Sequence, residues 1–286
     1  KLNEPNPSDY QNDKIAVHTD DEVPSIAIIP FENKGADEDV FYAYGISADL
    51  ISDVTSAGLI RVASKKQIDE AGELPQDELA NKLDVRYMAN GELWKMGDMF
   101  QLSVELYDTK GKKVVWSDRW QEKWNNLPTI KSSLSDGLLK TLDIKPKVEK
   151  KLDTTNPEAY EFYLKAKHKY DKRENTDDTE IAQGLIQKAI DLDDNLIVAK
   201  LLLGQTYHQM GDYDKAMEIY TDALVQAKSI SDINGMGIAF NSIGKMYWLK
   251  GDYDKALDYH ARSLKTNEDV GDKSGVGLSL YNMGFI

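Results

Sequence analysis

His18, His168, His208 and His260 are the only imidazoles in the chain. A zinc hydrolase needs two histidines one helical turn apart in an HExxH string, and no pair here has that spacing. Gly45-Ile46-Ser47 resembles half of a nucleophile elbow, but the second glycine is missing and the triplet falls in a predicted helix. Ser242-Ile243-Gly244-Lys245 has the S-x-x-K spacing of penicillin-recognising enzymes, yet helical periodicity accounts for all four letters. Gly244-Lys245 lacks the upstream glycine and the following hydroxyl of a phosphate loop, and no Gly-x-Gly-x-x-Gly follows the first strand. Asp37-Glu38-Asp39 could hold a hard cation only if further oxygens converged on it; carboxylates in that place more simply offset the positive end of a helix dipole. Cysteine is absent, so thiol nucleophiles and disulfide frameworks are excluded. No catalytic, cofactor or metal residue is assigned, and a hydrolase built from dispersed carboxylates is the remaining enzymatic alternative.

Trp94, Trp116, Trp120 and Trp124 are four of the five tryptophans and fall in one hairpin region. Packing in the core and at the sheet edge explains them; a contact surface for a partner is the second reading.

The elements that must position these residues come from composition and pattern. The 286 residues carry a formal net charge of -14, which repels a nucleic-acid backbone, and no basic stripe reverses it locally. No stretch approaches the roughly 18 consecutive apolar residues of a membrane span. The start, KLNEPNPSDYQNDKIAVHTDDEV, is polar and proline-bearing and reads as a linker over residues 1–23. The chain stops at Gly284-Phe285-Ile286 inside an apolar pattern, so a fragment of a longer protein is expected.

GDYDKAMEIYTDAL at 211–224 and GDYDKALDYHARSL at 251–264 repeat at a spacing of 40. Gly204, Gly244 and Gly284 share the period, as do Ala216 and Ala256, Tyr220 and His260, and Ala223 and Ser263. Small residues at fixed places let paired helices approach closely. A looser unit spans Asn156 to Asp194, with Tyr163, Ala166 and Tyr170 on one face, Ala182, Ile186 and Ala189 on another, and KRENTDDT inserted between. This alternation resembles the tetratricopeptide repeat in a 40-residue form. The resemblance implies an all-α solenoid over 156–286, made of three units and the first helix of a fourth. It also implies a protein or peptide ligand on the concave face, where Val198, Leu201, Gln205, His208, Asn241, Lys245, Trp248 and Tyr281 would lie.

In the other half, SIAIIPFE at 25–32 reads as a buried strand and FYAYGISADLISDVTSAG as a helix stopped by Gly58. LIRVAS reads as a strand, PQDELANKL as a short helix, and VRYMANGELWKM, FQLSVEL and KVVWSDRW as hairpin strands before a helix at about Leu127–Leu142. The order βαβα-βββ-α, with IAIIPFEN and FYAYGISADLISDV, resembles the TolB amino-terminal-like domain over 24–145, with a linker at 146–155. Ala89-Asn90-Gly91-Glu92-Leu93 departs from the Leu-Glu-Gly-Ser-Val run favoured by that family. Together the two resemblances imply an α/β domain with a mixed sheet followed by an all-α solenoid. They imply a non-catalytic signal-input region of a larger bacterial protein such as a nucleotide cyclase, anchored to a membrane by a preceding segment, with the periplasmic or extracytoplasmic face favoured over the cytoplasm and the compartment otherwise left open. An architectural spacer or oligomerisation element is the alternative, and a homodimer is among the partners allowed.

Overall fold

The computed structural model describes residues 23–58, 60–145 and 154–286. His18 and most of the expected linkers at 1–23 and 146–155 lie outside them. The first strand, β1 (Ser25–Ile28), is buried on every residue, as its apolar run predicts. It does not reach residue 32. Pro30 has no N–H for the ladder, so the chain steps out and resumes as β2 (Glu32–Asn33). Phe31 tucks under this break, and Gly91 makes room for it: a Cβ there would lie 2.6 Å from the phenyl ring.

A 3-10 turn (Asp37–Asp39) leads into helix α1 (Val40–Ser56), followed by β3 (Arg61–Val62), α2 (Lys65–Ala71) and α3 (Gln76–Leu83). The strands β4 (Tyr87–Met96), β5 (Met99–Asp108) and β6 (Lys113–Lys123) form an antiparallel meander closed by α4 (Leu127–Thr141). The sheet order is β3-β1-β4-β5-β6, with β1 parallel to both neighbours and β2 pairing with β4. Phe100, Leu102, Val104 and Leu106 alternate into the core under α1 and α4. Ala27 and Met88 form a second core with α2 and α3 on the opposite face. Helix α2 is a correction to the pattern reading. Ser64 accepts from the Gln67 N–H while the Gln67 side chain accepts from the Ser64 N–H, a capping box written in the letters SKKQ.

The rest is helical: α5 (Pro157–Asp171), α6 (Thr176–Leu192), α7 (Ile197–Gln209), α8 (Tyr213–Ile230), α9 (Ile233–Leu249), α10 (Tyr253–Val270) and α11 (Lys273–Met283). Asp212, Asp232, Asp252 and Asp272 each cap the following helix, accepting from the N–H three residues on. The repeated small residues sit in the helix seams. A Cβ at Gly204 would lie 2.5 Å from the Tyr220 ring, one at Gly244 2.8 Å from the His260 ring, and Ala216 and Ala256 are fully buried. The inserted KRENTDDT string contributes only a short loop, because α6 already begins at Thr176 under an Asn175 cap.

The seams differ in polarity. Ala223 and Ala227 line the α7–α8 seam, whereas Ser263 and Asn267 stand 40 residues later. There Ser279 donates to Ser263 at 3.0 Å, Ser263 donates to the Gly237 carbonyl at 2.9 Å, and Asn267 donates to Ser263 at 3.3 Å. An α/β region with a mixed sheet thus leads into a helical solenoid.

One apolar core runs from the sheet through α1 and α4 into α5 and α6. Helices α1 and α5 approach closely because Gly45 faces Leu164, where a Cβ would be 2.5 Å from a leucine methyl. At the far end of α1, Gly58 meets Gly271 in the α10–α11 turn, both at positive φ, so the solenoid touches α1 at both of its ends.

Candidate protein-binding groove

The helices α5, α7 and α9 end at Asp171, Gln209 and Leu249, which puts their faces in register. Counting back from those ends aligns Lys167 with Gln205 and Lys245, Tyr170 with His208 and Trp248, Tyr163 with Leu201 and Asn241, and Tyr160 with Val198 and Ile238. These positions share one face of the three helices.

In the first unit the row is occupied by α1. The Tyr160 hydroxyl donates to Asp49 Oδ2 at 2.5 Å, Lys167 Nζ donates to Oδ1 at 2.7 Å, and Lys131 Nζ from α4 stands 3.4 Å from Oδ2. Tyr163 reaches the same carboxylate at 3.5 Å. Burial alone would raise the Asp49 pKa, but Lys131, Lys167 and the donated hydrogen bonds reverse it and hold the carboxyl well below the usual range. Burial likewise opposes charge on Lys167, and Asp49 outweighs it, so the ammonium is held charged far into alkali. Tyr44, at the start of α1, donates to Asp171 at the end of α5 at 2.9 Å.

Further along the row the side chains are open. Gln205 and Lys245 are exposed, Trp248 is 39% exposed and Tyr281 63%, with Ile238 beside them at 49%. His208 is half-buried, and its pKa is lowered first by burial and then by the positive charge of Lys245, which the structure places nearby. Asn241 is already committed: its Oδ1 accepts from Asn282 at 2.8 Å and lies 3.0 Å from His260 Nδ1. Leu201 is buried and Val198 partly so, so neither offers an open tip. Of the sequence-expected row, Gln205, His208, Lys245, Trp248 and Tyr281 face outward. Tyr160, Tyr163 and Lys167 belong to it as well and were not expected; the distance of each from its helix end was the signal that could have found them.

The four tryptophans do not share one surface. Trp116 packs against Gly137 of α4, where a Cβ would be 2.7 Å from the indole, and its ring lies 6.3 Å from that of Trp120. Trp124 stacks edge-on against Tyr42 at 4.1 Å. Only Trp94 projects outward, 47% exposed beside the exposed Met96, because the alternation of β4 sends Leu93 inward and its neighbour out.

The side chains capable of chemistry are scattered. Ser47 donates within α1 to the Ala43 and Tyr44 carbonyls, and Asp39 pairs with Lys95 at 3.2 Å. His168 lies edge-on to Tyr44, and among the described residues no three histidines or acids gather as metal ligands. Among them, no helix is long and apolar enough to cross a membrane.

A tetratricopeptide repeat model matches residues 195–269, spanning most of α7 to α10. Repeats of this kind mark protein–protein interaction modules. No curated protein matches the chain. Among solved structures, TolB from Acinetobacter baumannii is similar at 18% identity, with 43% of this chain and 29% of that chain covered and a TM-score of 0.34. A signal transduction ATPase with a tetratricopeptide repeat sensor from Pyrococcus horikoshii gives 20% identity, 56% and 26% coverage, and a TM-score of 0.38. BtubC from P. vanneervenii gives 16% identity, 82% coverage of both chains and a TM-score of 0.40.

Proposed function

We propose that the chain is a non-catalytic recognition and signal-input module that binds a protein or peptide along the inner row of its solenoid, through Gln205, His208, Lys245, Trp248 and Tyr281. The observation that carries this reading is the row itself: amide, cationic and aromatic tips left open on α7, α9 and α11. The proposed units are an α/β domain over 24–145 and repeats over 156–286. Attachment to an upstream anchor on the extracytoplasmic side, and service to an effector such as a nucleotide cyclase, rest on the resemblances of sequence alone.

Selection of a displayed peptide library on the full chain tests the reading. Enriched peptides are expected to lose binding to a Lys245→Glu, Trp248→Ala double variant and to keep it when the outward Ile181 and Val225 are replaced by serine. Peptides that bind the double variant unchanged would remove the groove from consideration.

A second reading, assembly of copies through the sheet, is favoured by β6, an eleven-residue strand that among the described residues pairs only with β5. Its exposed Lys113, Arg119 and Lys123 work against edge-to-edge pairing.

A further inference from the structure

The first unit of the solenoid already holds a ligand of a kind, and it is a helix. Helix α1 presents Gly45 and, four residues later on the same face, Asp49. The glycine lets the backbone settle on Leu164, and the carboxylate takes the Lys167 ammonium and the Tyr160 hydroxyl. Two units on, Lys245 stands where Lys167 stands in the first, four residues before its helix end.

The nearby turn lysines are paired: Lys215 with Glu218, Lys250 with Asp214 and Lys255 with Asp252. Lys245 is exposed and has no ion-pair partner among the described residues, in a chain whose net charge is -14. Ile238 and Trp248 flank it, spanning about 15 Å of helix, which matches roughly three turns of an opposing helix.

We propose that the open part of the groove, over α7, α9 and α11, takes an amphipathic helix from a partner protein. That helix carries a small residue and, four residues later, a carboxylate that pairs with Lys245, as Gly45 and Asp49 of α1 do on α5. The proposal rests on the inner row being the binding surface and adds the conformation and charge of what binds there. Its apolar positions cover Ile238 and Trp248, and the small residue permits close approach.

The probe is a labelled helical peptide on an alanine–glutamine host, bearing the glycine, aspartate and flanking apolar residues of α1 at their α1 spacing. Binding to the full chain is read by fluorescence anisotropy. The expected result is saturable binding, weakened roughly tenfold by an aspartate-to-asparagine change in the peptide or by Lys245→Ala in the protein. A central proline in the peptide abolishes it, and Lys245→Glu recovers binding to a peptide with lysine in place of the aspartate. Unchanged circular dichroism of the Lys245 variants excludes misfolding as the cause. Absence of binding, insensitivity to Lys245, or equal binding of the proline-broken peptide overturns the proposal. Library peptides that need Trp248 but bind extended would sink the helix while leaving the groove standing; peptides indifferent to Trp248 would sink both.

Discussion

Asp49 and Lys167 are 118 residues apart along the chain and 2.7 Å apart in space. Their pairing, shared with Lys131 and Tyr160, fastens the solenoid to the α/β domain through a site that water scarcely reaches. An ion pair in such a place contributes less by attraction than it costs when half of it is removed.

Asp49→Ala is therefore expected to destabilise the protein by roughly 3–5 kcal/mol, because the Lys167 ammonium loses its buried counter-charge and Lys131 is left with Asp53, at 3.7 Å. Urea unfolding is the measurement. Adding Lys167→Met should recover part of the loss; strict additivity of the two changes would argue that the pair does not join the domains.

Acid should loosen the last repeats. Burial holds the His260 pKa below its ordinary value of 6.5. A histidine with a depressed folded-state pKa stays neutral in the fold and takes its proton more readily when unfolded. Stability is thus complete above about pH 6.5 and declines as pH falls below it. His168 and His208 shift in the same direction, both chiefly through burial. His260→Tyr, which restores the residue found at Tyr220 in the preceding unit, should shrink the difference between urea midpoints at pH 7.5 and 5.5. An unchanged difference would assign the acid sensitivity elsewhere.

Glycines in the helices divide into two groups by what lies above them. Gly204→Ala and Gly244→Ala press a methyl into the Tyr220 and His260 rings and should each cost about 1–3 kcal/mol. Gly184→Ala and Gly277→Ala meet nothing within 4 Å and should be neutral or stabilising by up to about 1 kcal/mol. Thermal melts of the four variants compare the groups directly, and the same sign for all four would contradict the seam assignment.

Closure of the solenoid on α1 depends on two glycines. A Cβ at Gly58 would lie 2.2 Å from the Gly271 carbonyl oxygen, and its φ of +72° disfavours any other residue. Gly58→Val should separate the α10–α11 turn from α1, raising both the hydrogen-exchange rates of α11 and the radius of gyration in solution scattering. Wild-type values for both would mean that the contact bears no load.

How far the letters alone carry the fold differs between elements. The dry face of β5 and the Gly204–Tyr220 and Gly244–His260 seams follow from short-range periodicity, since each depends on residues in one strand or one helical hairpin. Helix α2 was legible in its capping box, although its apolar content is too small to give a period. The break after Ile28 was less so, because a proline ends a strand without saying that pairing resumes beyond it. The tryptophans cluster in sequence, yet the alternation of the strands and the placing of α4 send Trp116 inward and Trp94 outward.

By itself the sequence determined the repeat, its period and which small residues let helices nest, because those are local constraints of side-chain volume. Only the tertiary structure decided that α1 packs on α5 with Asp49 against Lys167, and that Lys245, four residues before its own helix end, stands open. Both depend on segments more than a hundred residues apart meeting across one shared core, and nothing in the local pattern of either segment names the other.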